Sequence, residues 1–248
     1  MLQLALLAAA GLLAGAMNAV AGGGSFVTFP ALVAAGLPAV TANATSTVAL
    51  FPGTIASTWA YRRELVAVAG LPLRTMVPIS LAGGLIGAIL LLVTPGATFD
   101  TVVPWLLLLA TLTFAGGRDL GALLRRHLRI GTGTLMVVQF LISVYGGYFG
   151  GAVGLMMLAV WSLLDSAELK SMAPARTLMV SAANGMAVAC FAVAGAVAWR
   201  EMATMLLTAI VGGYGGARFA RHLPPLVLRV AVVVLSAVVT AGFFLRHG

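Results

Sequence analysis

Three consecutive glycines, Gly22, Gly23 and Gly24, then Ser25 and, five residues on, Pro30, interrupt an apolar run from Leu2 to Leu37 that holds no charged side chain. In hydrocarbon, irregular backbone is tolerated only where protein or a water-filled cavity satisfies its polar groups, so a break at that depth marks a binding site. The chemistry on offer is anion capture. A helix restarting at Ser25 exposes backbone N–H groups around Ser25 and Phe26, and a helix N-terminus carries about half a positive charge. Glycine lets a ligand approach the backbone, whereas glycines that serve only helix packing are usually spaced by four.

A second polar group follows at Thr41, Asn43, Thr45, Ser46 and Thr47. Thr41 is placed to cap a helix that follows Pro38, while Asn43, Ser46 and Thr47 share one face at three- and four-residue spacing and can line a cavity. Each hydroxyl alone suits a back-bond to its own helix; as a group beside a broken helix they suggest substrate contacts. Further along the chain, Gly146, Gly147, Gly150, Gly151 and Gly154 precede Ser171, Pro174, Arg176, Thr177, Ser181 and Asn184. Arg176, one turn into its helix, either snorkels to the interface or stands as a fixed cation, and Asn184 is either a helix–helix bond or a cavity donor.

These residues must be positioned by membrane helices. The chain has 248 residues, 61% hydrophobic and only 8% charged, which excludes a soluble core with a solvated surface. Apolar runs reach the ~20 residues needed to cross a bilayer, with charge confined between them, and lack the alternation of a membrane barrel. The first run is too long for a cleaved signal and lacks a basic n-region, so it is expected in the mature protein. Spans are expected over 39–61, 75–93 and from about Asp100 to Gly117, followed by the basic loop 118–130. Trp59, Trp105, Trp161 and Trp199 fall near span ends, where amphipathic rings suit the interface.

The pattern then repeats. A shift of 132 positions lays Gly22, Pro30, Thr45 and Gly53 over Gly154, Ser162, Thr177 and Gly185. Two homologous halves follow, residues 1–117 and 131–248, joined by the loop. If each opening run crosses once, the halves are parallel, with nine of the 14 Lys and Arg inside; if each enters and returns on one side, the halves are inverted, with twelve inside and only Arg200 and Arg246 outside. The positive-inside bias favours the second arrangement and places both termini outside. The expected fold is thus an all-α polytopic membrane protein with two inverted repeats, each a broken, re-entrant opening element plus three transmembrane helices.

Other chemistry finds little support. Cys190 is alone, so there is no disulfide framework; His127, His222 and His247 lack a second ligand at metal spacing; and no acidic pair lies within a span. No catalytic residue, metal site or cofactor is expected, although Asp165 and Glu168 beside the second break are candidates for proton coupling. The net charge of +8 reflects loop arginines rather than a nucleic-acid surface. Gly83, Gly84, Gly87, Gly212, Gly213 and Gly216 are read as packing glycines.

Gly-Gly-Gly-Ser-Phe-Val-Thr-Phe-Pro-Ala-Leu at 22–32, Ala-Asn-Ala-Thr-Ser at 42–46 and Gly-Gly-Tyr-Phe-Gly-Gly-Ala-Val-Gly at 146–154 resemble the TauE/SafE sulfite-exporter family, also called the toluene-sulfonate uptake permeases. The resemblance implies a secondary transporter of the bacterial inner membrane that moves sulfite, sulfonates or sulfoacetate-like anions by alternating access, with protons as candidate coupling ion and a homo-oligomer as one arrangement. It departs from the family where Gly154-Leu155-Met156-Met157 replaces a glycine cluster and proline, which makes the second break bulkier and favours an organic sulfonate. The expected substrate contacts are Gly22, Gly23, Gly24, Ser25, Asn43, Thr45, Ser46, Thr47, Gly150, Gly151, Gly154, Arg176, Thr177 and Asn184, with the first break holding the anion more closely than the second. The alternatives are a transporter of another small organic anion, a membrane-embedded enzyme and a non-transporting membrane scaffold.

Overall fold

A computed structural model describes residues 2–20, 23–68, 70–124, 131–161, 172–220 and 225–247. The chain forms an all-α membrane protein of ten described helices. The first five are α1 Leu2–Val20, α2 Ser25–Ala34, α3 Ala39–Ala60, α4 Leu73–Val93 and α5 Gly96–Leu124. They are followed by α6 Thr132–Tyr148, α7 Val153–Trp161, α8 Ala173–Val193, α9 Trp199–Ala220 and α10 Pro225–His247. Among the described residues, Leu73–Val93, Gly96–Thr113 and Ala173–Val193 are long and apolar enough to cross a membrane.

Both opening runs are broken where glycine accumulates. The first breaks between Val20 and Ser25, the second between Tyr148 and Val153. Each pair of short helices folds back on itself. Gln3, at the start of α1, donates its side-chain N–H to the carbonyl of Ala35 just past α2, and Trp161 Nε1, at the end of α7, donates to Gln139 Oε1 on α6 at 3.0 Å. Gly24 makes the first fold possible, because a Cβ there would press to 2.9 Å against the Ala14 carbonyl of α1. The second turns through Gly150 at φ +82° and Ala152 at φ +60°.

The two hairpins are clasped by helices from the other part of the chain. α1 packs on α9 and α6 on α4; α2 lies against α3 and α7 against α8; α5 pairs with α10; and α3 and α8 meet face to face. Glycine permits the closest crossings. A Cβ on Gly84 would overlap the Ala183 carbonyl, one on Gly147 the Gly84 carbonyl, one on Gly87 the Val144 carbonyl and one on Gly212 the Leu12 carbonyl. Gly83, against the Phe140 carbonyl at 2.8 Å, completes the α4–α6 contact, whereas Gly213 has 3.6 Å of clearance.

Two expectations are corrected here. Trp161 is not an interface ring: it is fully buried, held by Gln139, whose Nε2 in turn donates to Ser80 Oγ at 3.0 Å, while Trp59, Trp105 and Trp199 are exposed as expected. Thr41 does not cap its helix, because Pro38 occupies the N-cap position and Thr41 already lies within α3. The helix of the fourth span, α5, runs on past Gly117 to Leu124, while its membrane-crossing apolar stretch is Gly96–Thr113.

Candidate functional site

The two breaks converge on one cavity of about 120 Å³ between α3 and α8. That is well below the ~300–1,000 Å³ of sites built for drug-sized ligands, and it suits a small polyatomic ion. Ser25, the first residue of α2, lines it from one side; Gly150, Ala152, Val153, Gly154 and Leu155, the turn and first residues of α7, line it from the other. The remaining wall comprises Asn18 of α1, Ser46 to Ser57 along one face of α3, and Arg176, Thr177, Val180 and Asn184 of α8.

α3 and α8 run antiparallel past each other. Thr58 Oγ1 and Ser181 Oγ lie 2.8 Å apart, and a Cβ on Gly185 would touch the Phe51 ring at 3.3 Å. The cavity follows α3 from Ser46 to Ser57, about 16 Å at 1.5 Å per residue, toward the end marked by Tyr61, Arg62 and Arg63. At its other end Phe149 lines it, backed by further aromatic rings. Phe149 meets Phe29 edge-on with centroids 5.9 Å apart, and Phe29 stacks on Phe243 at 5.4 Å.

The lining is polar but not acidic: no Asp or Glu is found among the described lining residues, and Arg176 is the one charged side chain. The Arg176 stem passes over Gly154, where a Cβ would come within 3.1 Å of Cδ, so the missing side chain is what lets the guanidinium reach the cavity. Most lining hydroxyls are already committed. Thr47, Thr54, Ser57 and Thr177 donate to carbonyls of Asn43, Leu50, Gly53 and Pro174 at 2.8–3.4 Å, and Ser46 Oγ is shared with Thr28 Oγ1 at 2.5 Å. Among the described residues, the side chains of Asn18, Ser25, Arg176 and Asn184 keep uncommitted donors at the cavity, joined by the first amides of α2 and α7. Asn184 Oδ1 is buried and has no partner, a state that native structures leave to a ligand or a water.

The structure brings together Ser25, Ser46, Thr47, Gly150, Gly154, Arg176, Thr177 and Asn184 around the cavity. Other expected positions are not in the described lining. Asn43 Nδ2 donates to the Tyr148 carbonyl at 2.9 Å, and Thr45 Oγ1 accepts from the Ala198 amide at 3.0 Å. Gly23 and Gly24 are buried at the hairpin turn, and their carbonyls accept from Phe26 at 3.1 Å and from Val27 at 3.0 Å, so the Phe26 amide is not free. Gly151 sits against the Phe149 ring, 2.8 Å from where its Cβ would be. Gly22 lies outside the described residues, as do Ser171, Asp165 and Glu168. Met156 and Met157 pack in an apolar cluster with Trp161 and Met179 rather than in the cavity.

Sequence reasoning missed Asn18, Thr54 and Ser57. A signal existed: Thr47, Leu50, Thr54 and Ser57 fall at helical spacing on one face, continuing the polar stripe past Pro52 and Gly53.

The sequence matches the model of the sulfite exporter TauE/SafE family over residues 7–243. It is 30% identical over 239 residues to the probable membrane transporter protein ORF9 of a Sinorhizobium species, covering 94% of this chain and 89% of that protein. It is 27% identical over 231 residues to the probable membrane transporter protein YfcA of Escherichia coli K12, at 93% and 85% coverage. A probable membrane transporter protein of Haemophilus influenzae is 29% identical over 250 residues, at 99% and 96%. No solved structure matches the chain.

Proposed function

The chain belongs to the sulfite exporter TauE/SafE family, and from that premise we propose that this membrane transporter carries a small sulfur oxyanion, sulfite or a sulfonate, through the cavity between α3 and α8. It is a transporter and not an enzyme. One observation carries the choice of an anion: the beginnings of α2 and α7 meet in a cavity whose single described charge is Arg176. Helix N-termini and a guanidinium both favour negative charge, and the planar fork of arginine matches oxyanion geometry. The unpartnered acceptor of Asn184 suits an anion that still carries a proton, as hydrogensulfite does.

The transport step in this reading is alternating access around a fixed site. The cavity lining extends along α3 toward the Tyr61–Arg63 end, the cytoplasmic end by the positive-inside bias, and Phe149, packed on Phe29 and through it on Phe243, lines the other. The reciprocal clasp of the hairpins on α4 and α9 supports inverted repeats, and the fold-back of α1 on α2 and α6 on α7 supports re-entrant openings. In this reading the protein is a multi-pass protein of the inner membrane.

Flux of labelled sulfite, methanesulfonate and acetate in proteoliposomes tests this. Selective movement of the sulfur anions is expected. Equal leakage of all three overturns selective transport, and selective acetate uptake overturns the sulfur assignment.

A further inference from the structure

A second cavity, about 450 Å³ and mostly apolar, lies between α1, α3 and α9. It shares Asn18, Leu50, Gly53 and Ser57 with the polar cavity, so the two compartments adjoin along a single stripe of α3. Gly53 lines both, and a Cβ on it would meet nothing within 4 Å, so no side chain stands between them at this shared position. Pro52, the residue before it, cannot donate the usual helical bond to Val48, which loosens α3 at the same level. The outer wall of the second cavity includes Ala56 and Ile210, both exposed on the surface of the bundle. Neighbouring Ile55, Leu207 and Val211 are exposed too, a surface suited to lipid.

We propose that the second cavity is a tail compartment: an amphipathic anion lies with its oxyanion head at Arg176 and Ser25 and its short unbranched apolar tail passing Gly53 into the cleft beside Ala56 and Ile210. This rests on the oxyanion reading of the polar cavity and adds to it a site that accepts alkyl chains. A bare inorganic ion fills the first compartment alone and leaves the larger one empty. The chemistry of the two walls explains the division. The charge of Arg176 and the amide of Asn184 sit on the α8 side, whereas Leu206, Ala209 and Ile210 of α9 offer only dispersion and exclusion of water.

The test uses the full chain in nanodiscs, with affinity read by displacement of a labelled anion and by thermal stabilisation. Methane-, butane- and octanesulfonate are compared with the carboxylates of the same chain lengths and with butanol and octanol as uncharged controls. Affinity is expected to rise by roughly fourfold per methylene up to butyl, the equivalent of ~0.8 kcal/mol for each buried CH₂. Ala56→Trp fills the cleft and Gly53→Val sets a side chain at the shared position, so both should flatten the ratio of butyl to methyl affinity within the same protein, a readout indifferent to any general loss of activity. A chain-length series that is flat in the native protein overturns the tail compartment and leaves the head reading intact. A slope that appears with carboxylates and not with sulfonates supports the compartment and overturns the sulfur assignment. An equal effect of the alcohols marks the cleft as a lipid site and overturns the proposal, and failure of every anion to bind overturns both readings.

Discussion

Asn43 on α3 donates its Nδ2 to the carbonyl oxygen of Tyr148, 2.9 Å away and 105 residues along the chain. Tyr148 ends α6, so this bond fixes the second break to a helix from the first part of the chain, directly behind the cavity. Asn43 is only 2% exposed.

Asn43→Leu should leave a buried carbonyl without a donor. The expected loss is about 1–3 kcal/mol of stability, seen as a lower melting temperature in detergent, together with reduced flux. An unchanged melting temperature would show that the bond does not hold the break.

Removing the charge at Arg176 tests the site itself. If this guanidinium makes charge-assisted bonds worth about 1.5–3 kcal/mol to the anion, Arg176→Gln raises KM by roughly ten- to a hundredfold while the protein still inserts. Arg176→Lys keeps the charge without the planar fork and should recover only part of the affinity. Concentration-dependent flux in proteoliposomes distinguishes the three.

The glycines separate into two kinds. Gly84→Ala places a methyl against the Ala183 carbonyl at the α4–α8 crossing and should lower thermal stability by several degrees or abolish folding. Gly133→Ala, in the first turn of α6 with nothing within 4 Å, should be neutral or stabilising by up to about 1 kcal/mol. Size-exclusion profiles and melting curves of the two variants provide the comparison.

Ala152 lines the cavity at φ +60°, where L-residues bear a cost of roughly 1–2 kcal/mol. Ala152→Gly should therefore raise the melting temperature, and Gly150→Ala, at φ +82°, should lower it. If relief of this strain also slows transport, the turn takes part in the conformational change.

Much of this was legible in the sequence because it is periodic. Both glycine breaks, the α3 helix, the α4 span and the polar face of α3 follow from spacing alone. The destinations of individual polar groups do not, because they depend on which helix lies opposite. Asn43 and Thr45 carry the same signal as Ser46 and Thr47, yet face Tyr148 and Ala198 instead of the cavity. Trp161 looked like an interface ring because its position near a helix end is visible in sequence, whereas its partner Gln139, 22 residues away, is not. The Met156–Met157 departure suggested a bulkier site, but those side chains turn into the packing beside Trp161 and leave the cavity unchanged.

The packing of α1 on α9 and of α6 on α4 makes the chain two interlocked hooks rather than two beads on a string. Each fragment on its own lacks the helix that its hook grips, and the covalent link through 125–130 is not what keeps the hooks engaged. Fragments 1–124 and 131–248 should accordingly be unstable when made separately and co-purify as an assembled pair when made together. Stable accumulation of either fragment alone would show that the grip is dispensable.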